Sequence, residues 1–167
     1  GDAWVLDGAK QFVLDGHVAD TLIVVARTSG GPRERAGITL FLVSGTAAGV
    51  TRKRSIMVDS RNAARITLAG VSVGAEAVLG TVDGGADLLD GILDRARAGL
   101  AAEMLGSSAE AFERTVQYLK DRKQFGVPIG SFQALKHRAA HMYCEVEATR
   151  SAITAALDAL DNRANDA

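Results

Sequence analysis

Cysteine is almost missing from this sequence: Cys144 is the only one in 167 residues. An internal disulfide is therefore excluded, and a reducing compartment is expected. Long apolar runs are missing too, with nothing near the roughly eighteen consecutive residues that a spanning helix needs. No membrane span is expected. Charge of one sign is also lacking, since 19 Lys and Arg meet 20 Asp and Glu for a net charge of -1. Without a broad basic surface, nucleic acid is not expected as a partner. The opening Gly1-Asp2-Ala3-Trp4 has the character of neither a signal peptide nor a transit peptide, so the cytoplasm is the expected location. There is no internal repeat and no low-complexity segment. What is present is 47% apolar and 23% charged, a composition that builds a soluble fold with a real core.

The first half of the chain carries strand signals. Trp4-Val5-Leu6, Asp7-Gly8, Gln11 to Leu14 and Asp15-Gly16 alternate short apolar runs with Asp-Gly pairs, the pattern of hairpins. Thr21 to Ala26 and Ile38 to Val43 are near-continuous apolar strands. The polar stretch between them, Arg27 to Gly37, has the composition of a mobile connection. Arg52 to Met57 and Arg65 to Val73 bring the total to about six or seven strands, with a break at Ala69-Gly70 that suggests a bulge.

Near Gly80 the pattern changes to helical spacing. Leu89, Leu93, Leu100, Met104, Phe112, Val116 and Leu119 predict a helix over 86–120. A second is predicted over 132–160 from Leu135, Ala139, Met142, Val146, Ile153, Leu157 and Leu160, with Ser131 as its N-cap. The C-terminal residues 162–167 are polar and are expected to fray. The expected fold is α+β: an antiparallel β domain, sandwich-like or barrel-like, followed by a long antiparallel helical hairpin. Two helices cannot bury an apolar stripe on each outer face, so further packing partners are expected.

Several candidate sites are weak. His137, His141 and Cys144 share a helical face with Glu145 a turn beyond, but HExxH spacing is absent and no metal site is assigned. Asp83-Gly84-Gly85 precedes a helix without GxGxxG or P-loop spacing, and reads as a structural turn. Asp94 and Arg97 are three apart, which predicts an intrahelical ion pair and offers, alternatively, a grip on a long polar ligand. The stretch Tyr118 to Gln133 is richer. Arg122 suits a pyrophosphate through its forked donors, Phe125 can stack on a planar ring, and Gln124 and Gln133 add amides. Spacing alone leaves this level with a plain reading, in which Arg122 complements a helix dipole and Phe125 plugs the turn.

Arg122-Lys123-Gln124-Phe125-Gly126-Val127-Pro128-Ile129 with Phe132-Gln133 resembles the RxxFGxPI…xQ motif of the acyl-CoA dehydrogenase family. Leu93 to Arg97 is similar to the start of that family's long helix, and Gly8 to Gly16 with Ala19-Asp20 is similar to its GxKxFIxNGxxAD strand pair. The resemblance implies a middle β domain over 1–80 and, over 81–167, the first two helices of a C-terminal four-helix bundle, with an N-terminal helical domain and the last helices outside this sequence. It implies FAD as cofactor, an acyl-CoA substrate oxidised at the α,β carbons within fatty acid metabolism, an electron-transfer acceptor, and an oligomer: dimer, homotetramer or mixed. Arg122, Gln124, Phe125 and Gln133 match contacts to a neighbouring subunit's FAD. Phe12, Val13 and Leu14 match the strand against the flavin ring, and Asp94 and Arg97 match CoA contacts.

Three departures qualify the match. Leu14 stands where the family has a hydroxyl that bonds flavin N5. Asp59 to Ala63 does not fit the family's R-x-S-x-T loop, and Ala96 occupies the one position in this stretch where some members carry the catalytic glutamate. No catalytic base is assigned, and residues 1–167 alone are expected to be inactive. The alternatives are a non-catalytic subunit of a mixed oligomer, or a flavin oxidase or monooxygenase of the same fold.

Overall fold

The computed structural model describes residues 3–59 and 61–165, with side chains through residue 162 apart from residue 60. The chain divides into two compact units, Gly1–Asp90 and Gly91–Ala167. The first holds two three-stranded antiparallel sheets. One is built from β1 (Ala3–Leu14), β4 (Val50–Ile56) and β5 (Asn62–Gly74), in the order β1-β5-β4. The other is built from β2 (Thr21–Arg27), β3 (Ile38–Ser44) and β6 (Val78–Leu79), in the order β2-β3-β6.

The sheets meet through their inward side chains. Leu6, Ile66, Leu68 and Val71 from one pack with Leu22, Val24, Phe41 and Val43 from the other. The rings of Trp4 and Phe41 touch edge to face across this layer, 5.7 Å apart. Alternation explains β2, where Leu22 and Val24 are buried while Ile23 is exposed. The unbroken apolar run of β3 is explained by cover on both faces. Phe41 points into the core, while Leu40, equally buried, lies against Gly85, where an added Cβ would sit 2.6 Å from Leu40 Cδ1.

Two hairpin expectations fail here. Asp7-Gly8 makes no turn, and β1 runs straight through it. The β1–β5 register shifts between Leu6 and Gly8, so that Ala69 and Gly70 together face Asp7. Gly70 adopts φ +62°, and its N–H donates to Asp7 Oδ1 at 2.7 Å. The expected bulge at Ala69-Gly70 is present, and the Asp-Gly pair is its partner. Asp15-Gly16 does turn, with Asp15 at φ +52°, but β1 pairs with β5 and β2 with β3. That turn passes the chain between sheets, because strand partners are chosen by which faces can be buried together.

The polar connection after β2 carries its own bonds. Arg27 donates to the carbonyls of Glu34 (2.7 Å), Ala36 (2.8 Å) and Ser29 (3.2 Å). Arg35 forks between Asp87 (2.6 Å) and Asp90 (2.5 Å), and hydrogen bonds to these two carboxylates raise its pKa above the ordinary arginine value. The Asp83 turn is structural, as expected. Thr28 Oγ1 donates to its carboxylate, and its N–H donates to Thr39 Oγ1 at 2.8 Å.

α1 (Gly85–Asp121) runs from the first unit into the second, and α2 (Gln133–Asn165) completes it. At 37 and 33 residues they are about 50 Å long or more. α2 extends past the predicted end to Asn165, and Asp166 and Ala167 lie outside the described residues. Ser131 does not cap α2. It sits in a 3-10 turn, Ile129–Ser131, and its hydroxyl donates to Pro128 O at 2.7 Å. The helix starts two residues later, which leaves Phe132 at the cap position. Beyond Asp90, Ala98 is the one buried residue among those described, and Leu100, Met104 and Tyr143 stand exposed. Phe41→Ala should lower unfolding stability by about 3–5 kcal/mol, the usual cost of emptying a fully buried aromatic site. Urea denaturation would measure it, and a loss under about 1 kcal/mol would show that the inter-sheet layer is not the core.

Candidate functional site

The link between the helices is a miniature β-hairpin. β7 (Lys123–Gln124) pairs with β8 (Val127–Pro128), and the Ile129 N–H donates to Arg122 O at 2.8 Å. Phe125 and Gly126 form the two-residue loop at φ +53° and +81°, the signs of a type I′ turn. Gly126 adopts this region freely. Phe125 does not, because its Cβ crowds the carbonyl in a left-handed conformation at a cost of roughly 1–2 kcal/mol. Phe125 is also 92% exposed, and among the described residues its recorded ring contact is with Phe132, edge to face at 6.1 Å. A phenylalanine that is strained and almost fully in water is not a plug.

The other residues singled out in the sequence lie on the same link between the helices. Arg122 ends α1's last turn, its N–H bonded to Tyr118 O at 2.9 Å, and its guanidinium has no carboxylate partner among the described residues. Gln133 opens α2 with an exposed side chain. Gln124 is exposed and turns its amide to Lys123 O at 2.9 Å. Forked donors, amides and a bare ring on one short turn suit an anionic, ring-bearing ligand.

The β unit holds a second strained aromatic. The β1–β5 register passes from Lys10–Ile66 to Val13–Ala64, so Gln11 and Phe12 bulge opposite Arg65 alone. Phe12 sits at φ +54° with its side chain 61% exposed, and Leu14 is 71% exposed. Val13 differs. Its side chain packs onto the core cluster, which leaves its main chain for any contact on the open side. Among the described residues the non-glycines at positive φ are Phe12, Asp15, Asp83 and Phe125. Aspartate tolerates this region; the two phenylalanines are the outliers.

Asp94 and Arg97 form the intrahelical ion pair at 3.3 Å on an exposed face. His141 Nε2 lies 3.7 Å from Glu145 Oε1, and Cys144 is exposed. No group of three metal-ligating side chains converges among the described residues. An apolar groove of about 670 Å³ runs between α1 and α2, lined by Met104, Leu105, Phe112, Met142, Val146 and Ile153. The groove does not reach the Arg122 turn. No described helix is long and apolar enough to cross a membrane.

Comparison with known proteins identifies this combination. Residues 1–71 match the model of the acyl-CoA dehydrogenase middle domain, and residues 83–167 match that of its C-terminal domain. The chain belongs to the acyl-CoA dehydrogenase family. It is 33% identical over 153 residues to the short/branched chain specific acyl-CoA dehydrogenase, mitochondrial, of Bos taurus, covering 90% of this chain and 35% of that one. It is 30% identical to the caffeyl-CoA reductase-Etf complex subunit CarC of Acetobacterium woodii, covering 99% and 44%. Its backbone superposes on butyryl-CoA dehydrogenase from Megasphaera elsdenii with a TM-score of 0.84 and 31% identity, covering 96% and 43%. The chain thus spans well under half of these relatives' length. Antiparallel sheets followed by two long helices are this family's fold, as the motifs implied.

Sequence reasoning missed the β7–β8 ribbon and the bulge at Phe12. The first had a signal in Gly126 beside Phe125, while the second had none, because Phe12 lies inside an ordinary apolar run. Phe125→Asn should change stability by less than about 1 kcal/mol, since relief of left-handed strain offsets the lost ring contact. Chemical denaturation would decide it. A loss of several kcal/mol would return Phe125 to a packing role.

Proposed function

We propose that the full protein oxidises an acyl-CoA thioester at its α,β carbons, with FAD as cofactor. The observation that carries this reading is the pair of strained, solvent-facing aromatics, Phe12 and Phe125, each within a segment that resembles a flavin contact of the family. Backbone strain persists only where the surroundings impose it, and it gathers at binding sites. FAD, when bound, accepts the β-hydride while a carboxylate removes the α-proton.

This chain's residues bind and orient. Arg122 offers its guanidinium to the pyrophosphate, and Phe125, Gln124 and Gln133 line the same cofactor, acting on a neighbouring subunit in a dimer, tetramer or mixed oligomer. Phe12 and Leu14 flank the flavin ring, with the Val13 main chain between them. Leu14 excludes water there and supplies no hydroxyl. Asp94 and Arg97 are read as contacts to the CoA moiety. We read 1–80 as the middle domain and 81–167 as half of the helical bundle, with the N-terminal domain, the last helices and the catalytic base elsewhere in the full chain. An electron-transfer acceptor would be the redox partner, and fatty acid metabolism in the cytoplasm is the expected setting. A second reading, a non-catalytic subunit that completes a partner's FAD site, is favoured by the departures at Leu14 and at Asp59 to Ala63.

In the full-length protein, Arg122→Ala should lower the flavin retained on purification at least tenfold while shifting the melting temperature little. Equal flavin content in variant and parent would count against the assignment. Residues 1–167 alone should not bleach added FAD with acyl-CoA substrates, and turnover by this segment would overturn the claim that the base lies elsewhere.

A further inference from the structure

The middle strand of the β1-β5-β4 sheet carries a charge that its fold does not explain. β5 turns Ala64, Ile66 and Leu68 into the core, so Arg65 stands on the opposite, open face. Its direct cross-strand partner on β4 is Lys53. Like charges directly opposed repel, and neither finds a carboxylate among the described residues. Nearby cations are employed otherwise: Arg52 donates to Ala19 O at 3.0 Å and Arg54 to Asn62 Oδ1 at 3.4 Å. A lysine on an edge strand such as β4 can be understood as a guard against unwanted pairing. An arginine on the central strand cannot.

The register shows what else shares that face. On the other side of β5, Arg65 is opposed by the Gln11–Phe12 bulge, and Leu14 pairs with Ala63. Phe12 and Leu14 are exposed; the Phe12 bulge lies one strand spacing from Arg65 and two from Lys53, about 5 and 10 Å, and Leu14 is offset two residues further along the strand. We propose that Lys53 and Arg65 form a cationic pair on the flavin face of this sheet that favours the reduced, anionic cofactor over the oxidised, neutral one. The proposal rests on the FAD reading above. Uptake of two electrons and one proton, delivered as hydride from the thioester, leaves the ring with one negative charge. A fixed pair of positive charges beside it answers that charge, and the repulsion between Lys53 and Arg65 is relieved in the same step.

The test uses the FAD-loaded full-length protein, reduced stepwise with dithionite against a reference dye. Arg65→Gln, Lys53→Gln and the double variant should each show a more negative midpoint potential than the parent, with unchanged flavin content and a melting temperature no lower than the parent's. Arg65→Lys should restore the parent value. The differences should shrink as salt rises, because the charges are exposed. Variants that retain FAD at the parent's potential would overturn the proposal alone. So would variants whose only change is a higher melting temperature, or variants that lose FAD while still folded. If the parent itself retains no FAD, the cofactor reading and this inference fall together.

Discussion

A phenylalanine held in a left-handed backbone conformation is unstable by itself, and this structure holds two of them facing water. Each depends on pairing that the rest of the fold supplies. Phe12 is fixed because Lys10–Ile66 and Val13–Ala64 are both paired, leaving two residues on β1 for one on β5. That register is fixed in turn by Ile66 and Ala64, which are buried in the layer between the sheets. A slip of one residue would expose them, so the inter-sheet core determines where Phe12 stands.

Phe125 has a different support. Lys123–Pro128 and Gln124–Val127 pairing closes a two-residue loop, and such a loop demands positive φ at both positions. Pro128, which lacks an N–H, fits because β8 is an edge strand. The ribbon also brings Arg122 O to the Ile129 N–H, which joins the end of α1 to the approach of α2. The helices add little internal cover, since their facing sides leave an apolar groove and Ala98 is the one buried residue among those described past Asp90. The turn's geometry, by contrast, is local and self-contained.

Much of this was legible beforehand, for identifiable reasons. The helices were readable because apolar residues recur with a helical period over more than twenty-five positions in each. The strands Thr21–Arg27 and Ile38–Ser44 were readable from β-branched and aromatic runs. The Asp-Gly pairs misled because a turn signal is satisfied equally by a hairpin, a bulge partner or a crossing between sheets. Asp7 met the second fate through its bond to Gly70, and Asp15 the third. Ser131 misled in a similar way, since its hydroxyl had a nearer carbonyl to bond than the helix end it was expected to serve.

The sequence by itself determined the order of β before α, the helical spans to within a few residues, and the family motif around Arg122, because periodicity and short spacings are local properties. Only the tertiary structure decided which strands pair, that Phe12 and Phe125 are strained and exposed, that Val13 faces inward, and that Arg65 lies between Lys53 and the Phe12 bulge. Those are facts of register between distant segments, and register is set by which side chains can be buried together.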